Sequence, residues 1–463
     1  MSQTSTLTPE SAETASPRQS SRGGGGLRGF RALLIRVHFY AGIFIAPFIV
    51  MAALTGLAYT ATPQLDDIAY GSQLHVATVE AERLPVAEQV AAAQRSVPGL
   101  DVTSVLLPGG KADTTRVVFA DPSLRNDRER TVYVDPYTGR VKGELVTWFD
   151  STPLETWLDD LHRNLHLGEL GRNYSEVAAS WLGILALTGL VLWVRRRQSA
   201  RKLLLPEVAG RGRRRTRSWH ATVGLWALIG LLFLSATGLT WSRYAGANFT
   251  EVRELLSATQ PELSSALPAT SHHDTTGDGS FLGGEPNLAS IDTVVTTARD
   301  AGLDGPITVV PPTETGTAWS VAQNDRAWPM RMDQVAVDGD GQITARSTWS
   351  DWPLLAKLSS LGVAGHMGLL FGLANQLVLA VLAIAVLCIV FWGYRMWWQR
   401  RPTGVNRLTP PGATQKPGPG AIALIGGLAV IAGIAVPLLG VTLLVFLLVD
   451  TVVVGPIRAW RAT

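Results

Sequence analysis

The sequence predicts an α-helical integral membrane protein built as a tandem repeat, each half running helix, outer α+β domain, helix. This gives four core spans, and a C-terminal two-helix hairpin follows them. Three observations predict this. The 463 residues are 46% hydrophobic and only 17% charged, too little polar surface for several water-facing domains. The apolar residues gather in runs long enough to cross a bilayer. Four histidines with matched glycines also recur at equal offsets in the two halves.

Residues 1–26, rich in Ser, Thr, Pro and Gly, read as a disordered cytoplasmic tail. Residues 33–61 form an apolar run longer than a signal-peptide core and carry no convincing small-x-small cleavage site, so they read as a retained first span. An outer domain over 62–154 follows, with a helix expected at 86–95, strands at 102–107, 115–120 and 130–135, and a tight turn at 134–139 into a strand at 141–145. The second helix occupies 155–197, with its span at 177–194 and an outer extension; as one helix from 157 it would run ~60 Å and must protrude. A basic loop over 198–217 leads to the third span, 218–242, apolar at 221–241.

The second outer domain, 243–350, repeats the scheme with a helix at 291–301, strands at 307–310, 318–321 and 334–337, and a turn at 338–341. The fourth helix covers 352–400, with its span at 369–394, and a linker over 401–419 follows. The apolar stretch 421–454 is too long for one upright pass, so 420–455 reads as a hairpin of two short spans turning near 437–440. Neither outer domain contains a nucleophile–base pair or a phosphate loop, and Asp135 reads as a turn residue bonding its own backbone. Cys388 is the only cysteine, which excludes an intrachain disulfide and a cysteine-based metal site.

Arginines set the orientation. Arg28, Arg31 and Arg36, the stretch 195–217, Arg400, Arg401 and Arg407, and Arg458 and Arg461 all fall on one side of a six-span topology. Both termini are then cytoplasmic and the outer domains face away from the cytoplasm. The stretch 195–217 is a short loop between spans and reads as this charge bias, not as a nucleic-acid site.

Thr55-Gly56 lie 17 and 18 residues after His38, and Thr237-Gly238 lie 17 and 18 after His220. Gly42 and Gly224 each follow their histidine by four. Trp193 and Trp397 lie 31 residues after His162 and His366, Gly168 matches Gly372, and Gly189 matches Gly393. Histidine in a bilayer is costly and usually has an assigned partner. Neutral imidazoles ligate haem iron, and two of them, one on each face of the porphyrin, make an electron-carrying site.

His38 and His220 share one depth, and His162 and His366 another, so the four read as two ligand pairs stacked along the membrane normal. Gly42 and Gly224 would clear room for a flat macrocycle. His166, one turn beyond His162 on the same face, is a substitute ligand, although Leu370 stands at its counterpart position. His75, His272 and His273 read as solvated, and Trp148, Trp157, Trp181 and Trp352 mostly as an interfacial belt. Two rivals are a binding or regulatory envelope protein with structural histidines, and a transporter with proton-relay histidines. The second needs acidic residues within the core spans as read here, which have none; Asp450 in the hairpin is the nearest.

On His38 with Thr55-Gly56, Leu161-His162-Arg163 through Gly168 to Gly171-Arg172, His220 with Gly224 and Thr237-Gly238, and His366-Met367-Gly368 with Gly372, the chain resembles the PepSY-associated transmembrane proteins. Some of these are ferric-siderophore reductases of bacterial inner membranes. The turn Asp135-Pro136-Tyr137-Thr138-Gly139 looks like the end of a PepSY module, whereas the second domain has Val337-Asp338-Gly339-Asp340-Gly341 there. The resemblance covers roughly residues 30 to 400 and leaves the hairpin outside the core pattern. It implies a multi-pass, lipid-embedded oxidoreductase with two haem b groups, ligated by His38, His162, His220 and His366. Such a protein carries electrons from a cytoplasmic-side donor to a ferric chelate or siderophore outside, with no nucleic-acid partner.

Overall fold

Pro47 divides the first apolar run. In the computed structural model, which describes residues 23–125, 127–195, 199–267, 288–314, 316–400 and 419–449, α1 (Gly23–Phe44) and α2 (Ala46–Tyr59) meet at Ile45 with a bend of 57°. Proline has no N–H for the carbonyl four residues back, and its ring crowds that carbonyl, so the helix kinks. The carbonyl concerned is that of Ile43, which accepts instead from the Tyr394 hydroxyl at 2.8 Å. Tyr174 donates to Phe48 O at 2.9 Å on the other side of the break. The straight span expected over 33–61 is therefore a bent pair. Its helix starts at Gly23, so the last residues of the expected 1–26 tail are helical.

After α3 (Thr62–Leu74) the first outer segment forms α4 (Val86–Ser96), β1 (Asp101–Leu107), β2 (Thr115–Ala120), β3 (Glu129–Val134) and β4 (Val141–Thr147). The chain continues through α5 (Pro153–Asn164), α6 (Gly168–Val194), α7 (Ala200–Leu204), α8 (Gly212–Thr240) and α9 (Tyr244–Leu255). The second outer segment gives α10 (Ile291–Asp300), β5 (Ile307–Val310), β6 (Trp319–Gln323), β7 (Gln334–Val337) and β8 (Ile343–Ser347). Then come α11 (Leu354–His366), α12 (Leu373–Trp398), α13 (Pro419–Ala435) and α14 (Pro437–Leu448). Among the described residues α6, α8 and α12 are long and apolar enough to cross a membrane, and the bent α1–α2 pair makes a fourth if it counts as one span.

The outer strands form one eight-stranded antiparallel sheet in the order β4-β3-β2-β1-β5-β6-β7-β8. Its centre is the β1–β5 pairing, Val105 opposite Val309 and Leu107 opposite Ile307, which joins segments that the sequence reading treats as two domains. Strands alternate faces, so Val105, Val117, Val132, Val134, Val309, Val321 and Val337 pack with Val90 and Ala93 of α4 and Ile291, Val294 and Ala298 of α10. The opposite face, with Tyr133, meets α3 and α5 at the head of the helical bundle.

Asp135 Oδ1 accepts from the backbone N–H groups of Tyr137 at 2.9 Å and Thr138 at 3.3 Å, as a turn aspartate should. Asp338 Oδ1 likewise accepts from the backbone N–H groups of Asp340 at 3.0 Å and Gln342 at 2.7 Å, in a turn one residue shorter than the first. Strand β8, absent from the sequence reading, follows that second turn.

Three expectations about helices are corrected. The continuous helices over 157–197 and 352–400 are each broken. Leu165 and His166 take positive φ of 52° and 55°, ending α5, and Gly171 of α6 sits so tightly on the Asn164 carbonyl that no Cβ fits there. In the other half the break falls at Gly368 and Gly372, with φ of 82° and 53°. Secondly, α6 starts nine residues before the span read at 177 and so contains Glu176. This side chain is fully buried and accepts from the backbone N–H of Tyr244 at 2.8 Å and Ala245 at 3.3 Å. Both oxygens thus fasten the start of α9, a structural use that leaves no oxygen idle for a relay.

Thirdly, Trp181 is no belt residue: it is 2% exposed and donates to Thr442 of α14 at 2.9 Å. The α13–α14 hairpin breaks at Val436, and Leu439 packs with Leu33, Val37 and Ala41 of α1. The expectations for residues 1–22, His272 and His273, the linker 401–418, Asp450, Arg458 and Arg461 lie outside the described residues.

Candidate functional site

The two histidine pairs named from the sequence come together. His38 of α1 faces His220 of α8 with ring centres 6.3 Å apart, and His162 of α5 faces His366 of α11 at 6.4 Å. Each pair joins the two halves of the chain.

Within each half the support is reciprocal. Thr55 of α2 bonds His162 Nδ1 at 2.9 Å, Thr188 of α6 bonds His38 Nδ1 at 3.0 Å, and Thr237 of α8 bonds His366 Nδ1 at 2.6 Å. A threonine has one proton to donate. Each of these three gives it to its own helix, to Met51 O at 2.8 Å, Ile184 O at 2.7 Å and Phe233 O at 2.7 Å. The hydroxyl is therefore the acceptor and Nδ1 carries the hydrogen. His220 Nδ1 lies 2.9 Å from Ile389 O, a carbonyl that can only accept. All four rings are thus held as the Nδ1–H tautomer, with Nε2 left as a bare lone pair, the arrangement a metal-ligating histidine needs.

Glycines set how closely these rings approach the helices behind them. A Cβ on Gly56 would stand 3.1 Å from His162 Cε1, and one on Gly189 3.1 Å from His38 Cε1. On Gly238 and Gly393 it would be 3.7 Å from His366 and His220. Gly42 and Gly224 do something else: a Cβ on either meets nothing within 4 Å, so open space lies beside both.

In the sequence alone Thr55-Gly56 and Thr237-Gly238 stand out as repeat markers, and Thr188 does not stand out. The signal was a third Thr-Gly, 188-189, at the helix opposite His38. In the fourth position Trp392 stands where Thr188 does in the first half, and it packs on Trp219 at 5.8 Å. His220 accordingly turns to a backbone carbonyl.

His166 does not extend the set. Past the end of α5 it is exposed and lies against Trp157 with ring centres 5.0 Å apart, so the expected shared face with His162 is lost to the left-handed turn. His75, expected to be solvated, sits between Asp67 at 3.1 Å and Asp113 at 3.0 Å. The bond to Asp67 chiefly, then that to Asp113, holds its pKa above the usual imidazole value against the pull of partial burial.

Two cavities adjoin near the upper pair, and only the first reaches its histidines. An apolar one is lined by His162 and His366 with Ile49, Ala178, Leu234 and Val386, and it also reaches Arg163, Arg172 and Trp241. A polar chamber above it, under the sheet, is lined by Asp66, Asp67, Asp113, Asp150 and Glu155 with His75 and Arg116. Tyr59 and Met367 border both. Burial pushes the carboxyls of Asp66, Asp150 and Glu155 above the usual carboxylate range.

The donor set fits haem. An iron bonded to two facing imidazoles at about 2 Å each would hold the ring centres about 6 Å apart, close to what both pairs show. Residues 35–400 match the family described as PepSY-associated TM region. No curated protein matches the chain.

Proposed function

The chain belongs to the PepSY-associated TM family, and from that premise we propose that it is a bacterial inner-membrane electron carrier, holding two haem b groups and reducing ferric chelates or siderophores outside the cytoplasm. In this reading it is a tandem duplication with four core spans, the bent α1–α2 pair being the first, and both termini are cytoplasmic. The observation that carries it is the paired geometry: four buried imidazoles, each with Nδ1 bonded to a partner inside its own half, pair across the halves at 6.3 and 6.4 Å.

Haem held between each pair supplies a one-electron Fe(III)/Fe(II) couple. The chain's part is to place and tune it. His38 and His220 take the cytoplasmic level, where an electron donor docks, and His162 and His366 take the outer level. The threonine and carbonyl acceptors raise imidazole basicity and fix ring orientation. The carboxylate-lined chamber bordering Tyr59 and Met367 is where a ferric chelate would sit and take one electron, leaving Fe(II).

The test is an absorption spectrum of detergent-purified protein after haem-replete expression, oxidised and dithionite-reduced. Sharp reduced α and β bands are expected, with about half the amplitude lost in each of His220→Ala and His366→Ala. A featureless visible spectrum would remove the redox reading. The reduced protein should then reoxidise on addition of a ferric chelate, with one Fe(II) formed per electron.

A further inference from the structure

Arg172 stands near the start of α6 in the Gly171-Arg172 motif, which the histidine pairs leave unexplained. It is half-buried and lines the apolar cavity that holds His162 and His366. It makes no hydrogen bond or ion pair with any described residue, whereas the other arginine of the cavity, Arg163, is paired with Asp159 at 3.3 Å and Asp160 at 3.1 Å. Glu176, one turn along α6, is occupied by the backbone of α9 and offers Arg172 no carboxylate. A cation withdrawn from water beside an apolar cavity without a counter-charge is costly, and a guanidinium binds a carboxylate in two parallel bonds.

We propose that Arg172 is an anchor for a carboxylate of the macrocycle held by His162 and His366, fixing that group's orientation and raising its potential. The proposal rests on the two-haem reading. A lipid phosphate at the outer leaflet would satisfy the same guanidinium and is the competing source of the anion.

The test uses the full-length protein in detergent with Arg172→Gln and Arg172→Lys. The component lost in His366→Ala identifies the upper site in redox titrations. Arg172→Gln should lower the midpoint of that component by about a tenfold change in its reduction equilibrium, which is about 59 mV for one electron. The lower component should not move, and Arg172→Lys should restore part of the shift. Loss of the upper component in the Gln variant alone, with Lys retaining it, supports the same assignment.

An unmoved midpoint in Arg172→Gln overturns it, and does so decisively if co-purified phospholipid falls instead. Loss of the upper component in both variants also overturns it and makes Arg172 a folding residue. A wild-type protein without visible bands refutes the two-haem reading itself, a result distinct from all of these.

Discussion

The hydroxyls of Thr55, Thr188 and Thr237 each decide which nitrogen of a histidine is bare, because their single proton is already given to the helix carbonyl behind them. Replacing one by valine keeps the shape and removes the acceptor, leaving a buried Nδ1–H unpaired or the tautomer free to switch. Loss of such support typically costs 10–100-fold in metal-site affinity. On the two-haem proposal, Thr55→Val and Thr237→Val are therefore expected to weaken haem retention about that much at the upper pair, and Thr188→Val at the lower pair, read by haem-to-protein ratio through a dilution series. Equal loss at both levels from any one variant would contradict the local assignment. The glycines give a second contrast. Alanine in a helix gains up to about 1 kcal/mol over glycine. At Gly238 the new methyl makes an ordinary 3.7 Å contact, and the variant should melt as high as the parent or higher. At Gly56 it stands 3.1 Å from the His162 ring, which must shift by a few tenths of an ångström. Gly56→Ala should accordingly disturb the upper-site spectrum, and Gly238→Ala should not.

The first span shows how an element is repaired where its own ladder fails. Pro47 leaves the Ile43 carbonyl without its helical donor, and Tyr394 supplies one from α12. Tyr394→Phe should cost about 1–3 kcal/mol, the penalty of a buried acceptor left unmade. Pro47→Ala returns an N–H to the same carbonyl, so in the double variant the Tyr394→Phe penalty should shrink markedly, measured as a coupling energy from thermal melts. Additive losses would show that the hydroxyl serves something else. A pH dependence belongs to the joint of α3 with the β1–β2 loop, where His75 binds Asp67 and Asp113. Its pKa is raised in the folded protein, so the stabilisation is full below the ordinary value of 6.5 and is lost as pH climbs through the raised one. Melting temperature should fall across that window, and His75→Gln should flatten the fall. Local periodicity made α4 and β5 legible nearly to the residue, since α4 buries side chains every third or fourth position and β5 alternates; β7 was legible from its β-branched residues and the turn after it, although it buries three side chains in a row. The breaks after α5 and α11 escape a reading by helix length alone, although glycines mark both, Gly168 and Gly171 in the first and Gly368 and Gly372 in the second, because positive φ at Leu165 and His166 is not written in the residue types. The four histidines were legible through their offsets. Their threonine partners and Arg172 were not, since a hydroxyl or a cation on an apolar helix gains meaning only from what a distant helix places opposite it.

The whole molecule is held by contacts that cross between its two halves, and these are what sequence patterns say least about. The halves meet at the β1–β5 pairing, across both histidine pairs, and at one side chain in particular. Pro85 precedes α4 and has no side-chain oxygen to cap it, so the first N–H groups of that helix need an outside acceptor. Asp292 of α10, from the other half, provides both oxygens, to Val86 N–H at 2.6 Å and Ala87 N–H at 3.2 Å. A helix cap of this kind is worth about 0.5–2 kcal/mol, and the negative charge adds to it at a helix N-terminus. Asp292→Ala should lower the stability of the outer sheet by that amount, with Asp292→Asn intermediate. Because α4 and α10 share one buried core with the strands of both halves, the loss should not stay in α4. Hydrogen exchange is expected to quicken together in α4, β1, β5 and α10, while exchange in α1 and α8, which carry the lower histidine pair in the helical bundle, stays unchanged. Faster exchange confined to α4 would mean that the two outer segments open independently and that the shared sheet is not one cooperative unit.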